Sequence, residues 1–303
     1  LMKTSEKNKP ACVLDLKAQL GEGPIWIAKE KALYFVDIIG ETLHRFNPTT
    51  QDLTSWKAPS RIAFILPVSN GSFLVGMPDG LHHFDAQKGA FSQACFIEPD
   101  KPGNRLNDGC VDQQGRIWFG TMDDDEEKKT GSIYRVEHKE NSLQLSHWDE
   151  GYIVSNGPAV SPCGTVLYVS DSPQQRIYAF DLDKSGALKG KRLFATLDHG
   201  YPDGLVTDSQ GNLWCGTFGG GRIVRFKPDG TELPFIPMPV SNVTKIAFGG
   251  DDYRTVFVTT ARKGLSSEEL AKEPLAGGLF AFRTDIAGTP QKSFLLNQTA
   301  KEL

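Results

Sequence analysis

The chain has no excess of basic charge. Its 33 lysines and arginines are outnumbered by 37 aspartates and glutamates, for a formal net charge of −4. No basic cluster alternates with stacking aromatics, so nucleic acid is not expected as a partner. The five cysteines, Cys12, Cys95, Cys110, Cys163 and Cys215, are an odd set without a C-x-x-C pair. A disulfide framework or a thiolate zinc site needs paired spacing, so a reducing compartment, the cytoplasm, is expected. No stretch of 18 apolar residues occurs, and the opening LMKTSEKNKP lacks an apolar core, so neither a membrane span nor a secretory leader is expected.

Familiar catalytic signatures are missing as well. The histidines form no HExxH or HxH arrangement, there is no GxSxG elbow, and Gly219-Gly220-Gly221 is not followed by Lys-Ser/Thr, which leaves it as a hairpin turn. His199, four residues before Asp203, reads as a turn residue. Long 3.6-residue stripes are absent too, so helix is expected to be scarce.

What is present is a repeat. ALYFVD (32 to 37), SFLVGM (72 to 77), RIWFGT (116 to 121), TVLYVS (165 to 170), NLWCGT (212 to 217) and TVFVTT (255 to 260) share one apolar shape. Their spacing of roughly 40 to 50 residues is that of propeller blades. Each is followed by a second strand-like run, beginning at Leu43, Leu81, Ser132, Arg176, Arg222 and Gly278. Six such meanders, closed radially, predict an all-β, six-bladed β-propeller. A flexible segment is expected over residues 1–10 and one propeller domain over 11–303. The polar run Asp123 to Thr130 reads as a solvated loop, and LSSEELAKEP, with a serine cap and a proline stop, as a short helix. Trp26, Trp118 and Trp214 fall in matching strand regions and are expected to fill the space between blades.

The chemistry is expected in small-residue turns ahead of the repeated strand. In register these are Leu20-Gly-Glu22-Gly-Pro, Leu106-Asn107-Asp108-Gly, Ser155-Asn156-Gly-Pro and Pro202-Asp203-Gly-Leu. Any one Asn-Gly or Asp-Gly pair is only a turn signal. Their shared register is what matters, because equivalent positions in different blades surround one axis. Glu22, Asn156 and Asp203 are then expected to converge. Two carboxylates and an amide oxygen suit a hard divalent cation, and without one the carboxylates would repel and one would retain a proton. Asp171 is expected to end its strand.

These residues resemble the SMP30/gluconolactonase family, which includes regucalcin and bacterial sugar lactonases. The resemblance is carried by GEGPIW (21 to 26), NRLNDG (104 to 109), FGTM (119 to 122), SNGPAVSP (155 to 162), PDGL (202 to 205), GGGRIVRF (219 to 226) and AFGG (247 to 250). It implies a six-bladed propeller that binds one divalent cation through Glu22, Asn156 and Asp203, with Ca²⁺ as the leading candidate and Mg²⁺, Mn²⁺, Zn²⁺ and Fe²⁺ as alternatives. It also implies that Arg105 and Asn107 contact the sugar together with an acid just after the FGTM strand. Offset from Met122 selects Asp125, with Glu126 as the alternative. The implied activity is metal-dependent opening of a sugar lactone to its aldonic acid, with Asp203 as general base and no macromolecular partner. Two other readings remain: a metal-dependent esterase or organophosphate hydrolase, expected to have a pocket lined mainly by aromatics, and a non-catalytic calcium-binding regulatory propeller, expected to expose apolar patches.

Overall fold

The structure, a computed structural model, describes residues 9–296. Most of the flexible segment expected at 1–10 therefore lies outside the described residues. Those described form six four-stranded antiparallel sheets, a six-bladed β-propeller, as the repeat predicts. The repeated apolar segments are the second strand of each blade, for example Ala32–Asp37 in blade 1 and Thr255–Thr260 in blade 6. These strands are almost wholly buried because both of their faces meet neighbouring blades. The runs after them form the third strands, such as Thr42–Phe46 and Leu279–Arg283. Outermost strands such as Leu53–Lys57 and Leu188–Thr196 are largely solvent-facing, and polar residues alternate there with partly buried ones.

The motif-bearing segments are not turns, which corrects the sequence reading. They are the innermost strands: Gly21–Ile27, Asn104–Val111, Ser155–Val160 and Tyr201–Thr207. Each breaks register against its second strand, between Glu22 and Ile25, Leu106 and Asp108, Asn156 and Ala159, and Pro202 and Leu205. In blades 1, 4 and 5 the break spans the motif glycine, and in blade 3 it falls at Asn107, two residues before Gly109. Gly23 and Gly157 adopt positive φ (54° and 80°), a conformation that side chains disfavour. A break frees backbone N–H groups from the ladder, and the acid beside it takes one: Gly23 donates to Glu22 Oε2 at 3.0 Å and Gly109 to Asp108 Oδ1 at 2.7 Å. Acid-Gly and Asn-Gly pairs, which look like turn signals, mark bulged strands at the hub.

Two of the three tryptophans are equivalent and one is not. Trp118 and Trp214 lie in second strands and donate their indole N–H to Asp112 and Asp208, each at 2.9 Å. Those aspartates also accept backbone N–H groups from the DQQGR and DSQGN turns. Trp26 instead lies on an innermost strand, stacks on Phe257 and has an indole N–H without a partner. Asp171 ends its strand by accepting the N–H groups of Ile153 and Val154. The expected helix forms over Ser267–Lys272, with Ser266 and Glu269 making a reciprocal capping box.

The ring closes in blade 6. Strand Ala11–Leu14 pairs antiparallel with Leu279–Arg283 and completes the sheet that contains Val243–Gly249 and Thr255–Thr260. Among the described residues no helix is long and apolar enough to cross a membrane.

Asp112 is fully buried and ion-paired to Arg116, whose Nε donates to it at 2.7 Å. Asp112→Ala would strand that guanidinium and the Trp118 N–H, so a loss of about 3–5 kcal/mol is expected. Urea unfolding of the purified variant measures it.

Candidate active site

The innermost strands of blades 1, 3, 4 and 5 bring Glu22, Arg105, Asn107, Asn156 and Asp203 to one end of the central channel, where all five line a cavity of about 420 Å³. All five side chains are buried. Glu22 and Asp203, far apart in sequence, sit close enough for each carboxyl to act on the other. Burial, reinforced by the neighbouring Asp108 charge, pushes the Glu22 carboxyl up to about 7. Asp203 is raised well above the ordinary carboxylate range by burial and then by Glu22. One proton shared between them relieves the repulsion, and a divalent cation would do so more completely.

Asn156 is held with its oxygen committed as an acceptor. Ser172 donates its hydroxyl to the Pro202 carbonyl at 2.7 Å, so its oxygen accepts from Asn156 Nδ2 at 2.9 Å. That leaves Asn156 Oδ1 on the side of Asn107, whose amide donates to it at 3.0 Å and to the Ser155 carbonyl at 2.9 Å. Arg105 in turn donates to Asn107 Oδ1 at 2.9 Å and, through Nε, to Asp124 Oδ1 at 2.9 Å. Asp124 also grips Arg61. A single relay from Arg61 to Ser172 thus fixes both amides. The donor set of Glu22, Asn156 and Asp203, two carboxylates beside an oriented amide oxygen, fits a hard divalent cation.

The acid after the FGTM strand is where counting along the chain goes astray. Asp125 is exposed and does not line the cavity, whereas Glu126 does. The strand ends at Asp123 and the chain turns at once. Glu126 N–H donates to the Asp123 carbonyl at 3.0 Å, and Glu126 itself has φ of 61°. Past Asp123 the two-residue alternation no longer applies, and Glu126 reaches the mouth, where it is ion-paired with Lys263. His199 faces a separate depression beside Gly219, Gly220 and Gly221. Sequence reasoning missed Asp124, Ser172, Lys263, and the buried pair Asp108 and Lys245. Asp124 lies in the acidic run and Asp108 in the NRLNDG motif, but Lys245 carries no local signal.

Known proteins point the same way. Residues 20–262 match the family described as SMP-30/Gluconolactonase/LRE-like region. The chain belongs to this family. It is 35% identical over 286 residues to a 6-deoxy-6-sulfogluconolactonase of Pseudomonas putida, covering 93% of this chain and 97% of that one. It is 36% identical over 285 residues to an L-arabinolactonase of Azospirillum brasilense, covering 92% and 93%. Among solved structures, the calcium-binding protein regucalcin from Agrobacterium tumefaciens superposes with a TM-score of 0.89 at 27% identity, covering 93% of this chain and 96% of that one.

The raised Glu22 pKa has a consequence for stability. A carboxyl near 4.5 when unfolded and about 7 when folded costs nothing below 4.5, and its penalty grows between 4.5 and 7 and levels off above 7. In chelator, the melting temperature is therefore expected to fall between pH 5 and 8. Glu22→Gln should remove part of that slope and raise the metal-free melting temperature at pH 8 by about 2–6 °C. Differential scanning calorimetry at both pH values decides it; an unchanged slope in the variant would contradict the assignment.

Proposed function

We propose that this protein is a sugar lactonase that holds one divalent cation through Glu22, Asn156 and Asp203 and opens a five- or six-membered aldonolactone to its aldonic acid. The observation that carries this reading is the meeting of two buried carboxylates and an oriented amide oxygen at the floor of a cavity rimmed by Arg105 and Asn107. The named lactonases among its relatives supply the reaction class. The bound cation would supply Lewis-acid stabilisation of the negative charge that develops on the lactone carbonyl oxygen. Calcium is the first candidate, since the regucalcin neighbour is a calcium-binding protein.

The chain's own groups do the rest. Asp203 accepts a proton from the attacking water. A carboxylate that also holds the cation would be a weak base, so its help comes mainly from its position and from the lowered pKa of a water near the cation. Arg105, pre-oriented by Asp124, donates to a sugar hydroxyl through its free Nη2, and Asn107, whose two amide hydrogens are held by Ser155 and Asn156, accepts from a hydroxyl at Oδ1; together they hold the ring over Asp203. Glu126, at the mouth, accepts from a hydroxyl further from the reacting carbon, the role first assigned by offset to Asp125. The walls contributed by Leu20, Ile38, Met122, Val154 and Phe218 shed water from the nonpolar face of the ring. Only Tyr201 and Phe218 among the fifteen lining residues are aromatic, which favours a hydroxyl-rich substrate over an aryl or organophosphate ester.

Asp203→Asn is expected to lower kcat on any accepted lactone by about 10²–10⁴-fold while leaving the fold intact. A pH-drop assay over a panel of aldonolactones, with chelator and with added Ca²⁺ or Mn²⁺, tests the reading; a rate indifferent to chelator would remove the cation from it. Glu126→Ala should raise KM on the same panel, and Asp125→Ala should leave it unchanged; the reverse result would restore Asp125 to the site.

A further inference from the structure

Beneath the acid pair lies a second charged pair. Lys245, on the innermost strand Val243–Gly249 of blade 6, is ion-paired with Asp108 Oδ1, and its ammonium also approaches the Gly109 carbonyl at 3.5 Å. Both side chains are buried, at 7% and 2% exposure. The lysine reaches this place because Gly204 has no side chain: a Cβ there would come within 2.4 Å of Lys245 Cγ. The glycine after Asp203 is thus the gap through which the Lys245 stem passes.

The position of Lys245 divides the channel. Glu22 and Asp203 line the cavity at the mouth, while Lys245 lines a separate cavity of about 110 Å³ behind it, together with Gly23, Gly109, Pro158 and Leu205. Asp108 stands between them. One of its oxygens is taken by Lys245, and the other, Oδ2, is buried without a hydrogen-bond partner. The charges of Asp108 and Lys245 are both felt at Glu22. Burial disfavours the ammonium, but Asp108 outweighs it and holds Lys245 charged.

Glu22, Asp108 and Asp203 bring three carboxylates into one dry region against a single ammonium, leaving two negative charges when all are ionised. One divalent cation balances that, and a second would overshoot it. Without the ammonium, Asp108 would be an uncompensated buried carboxylate, with Oδ2 free and Oδ1 held only by the Gly109 N–H, close to Glu22. Such a group draws in a cation of its own or keeps a proton.

We propose that Lys245 is a positioning residue, an internal cation at the deep end of the channel that balances the charge of Asp108 and holds the Glu22, Asn156 and Asp203 cage to a single divalent ion. The assignment rests on the reading of those three residues as cation ligands. It also gives Gly204 a task, which is to keep the path of the Lys245 side chain open.

The test is metal stoichiometry of the full chain, by equilibrium dialysis against Mn²⁺ with elemental analysis, and Mn²⁺ paramagnetic resonance to detect coupled ions. Wild type is expected to bind one equivalent. Lys245→Met and the uncharged polar variant Lys245→Gln are each expected to bind two, with coupling between the ions. Asp108→Asn/Lys245→Met should return to one, because the oxygens that attract the second ion lose their charge. The double variant removes the pair as a unit and so keeps a folded reference should a single variant unfold, with circular dichroism as the check. One equivalent in folded Lys245→Met or Lys245→Gln, or two in the double variant, would overturn the role of Lys245 and leave the cation cage standing. A wild type that binds none would overturn the cage itself, and this proposal with it.

Discussion

Two buried carboxylates placed against each other dominate this molecule. Left ionised and alone, Glu22 and Asp203 would repel strongly, since little solvent remains to screen them. The surrounding architecture accommodates that conflict. Inner strands give up regular pairing at the hub so that freed N–H groups can face Glu22 and Asp108. An amide relay running from Arg61 through Asp124, Arg105, Asn107 and Asn156 to Ser172 turns an oxygen, not an NH₂ group, toward the acids. A lysine crosses beneath them through a gap left by a glycine. Stability is surrendered locally at the hub, an exchange typical of functional sites, and the proposed cation would relieve it.

Outside the hub, conventional forces dominate. Large apolar side chains such as Phe64, Phe84, Trp118 and Trp214 are fully buried between blades. Aromatic contacts such as Trp214 with Phe248 join one blade to the next. Because blade packing is strong and polar strain is confined to the axis, the ring can present charged groups at its centre without loosening elsewhere.

The sequence makes the propeller legible because its second and third strands carry a one-dimensional signal: an apolar run, a turn, another apolar run. The segment 255–260 coincides with its strand, and 32–37 does likewise. The innermost strands were harder to read. Buried on both faces and broken by glycine, they lack alternation, and so GEGP and SNGP read as turns. The convergence of Glu22, Asn156 and Asp203 was nonetheless accessible, since radial symmetry turns equal register into proximity. Asp125 was misplaced for a local reason: the turn at Asp123 ends the periodicity on which the offset depended. Lys245 and Ser172 could not be found at all, because their partners Asp108 and Asn156 lie 137 and 16 residues away and no local pattern announces the contact.

The last sheet is assembled from both ends of the described chain. Ala11–Leu14 is made before every other strand, yet its only ladder partner, Leu279–Arg283, is made after all of them. The circle is therefore closed by pairing segments some 270 residues apart in contour, a loop whose entropic cost grows only slowly with its length. The clasp secures the outer edge of blade 6, whose inner strand Val243–Gly249 is the one that closes the hub between blades 5 and 1.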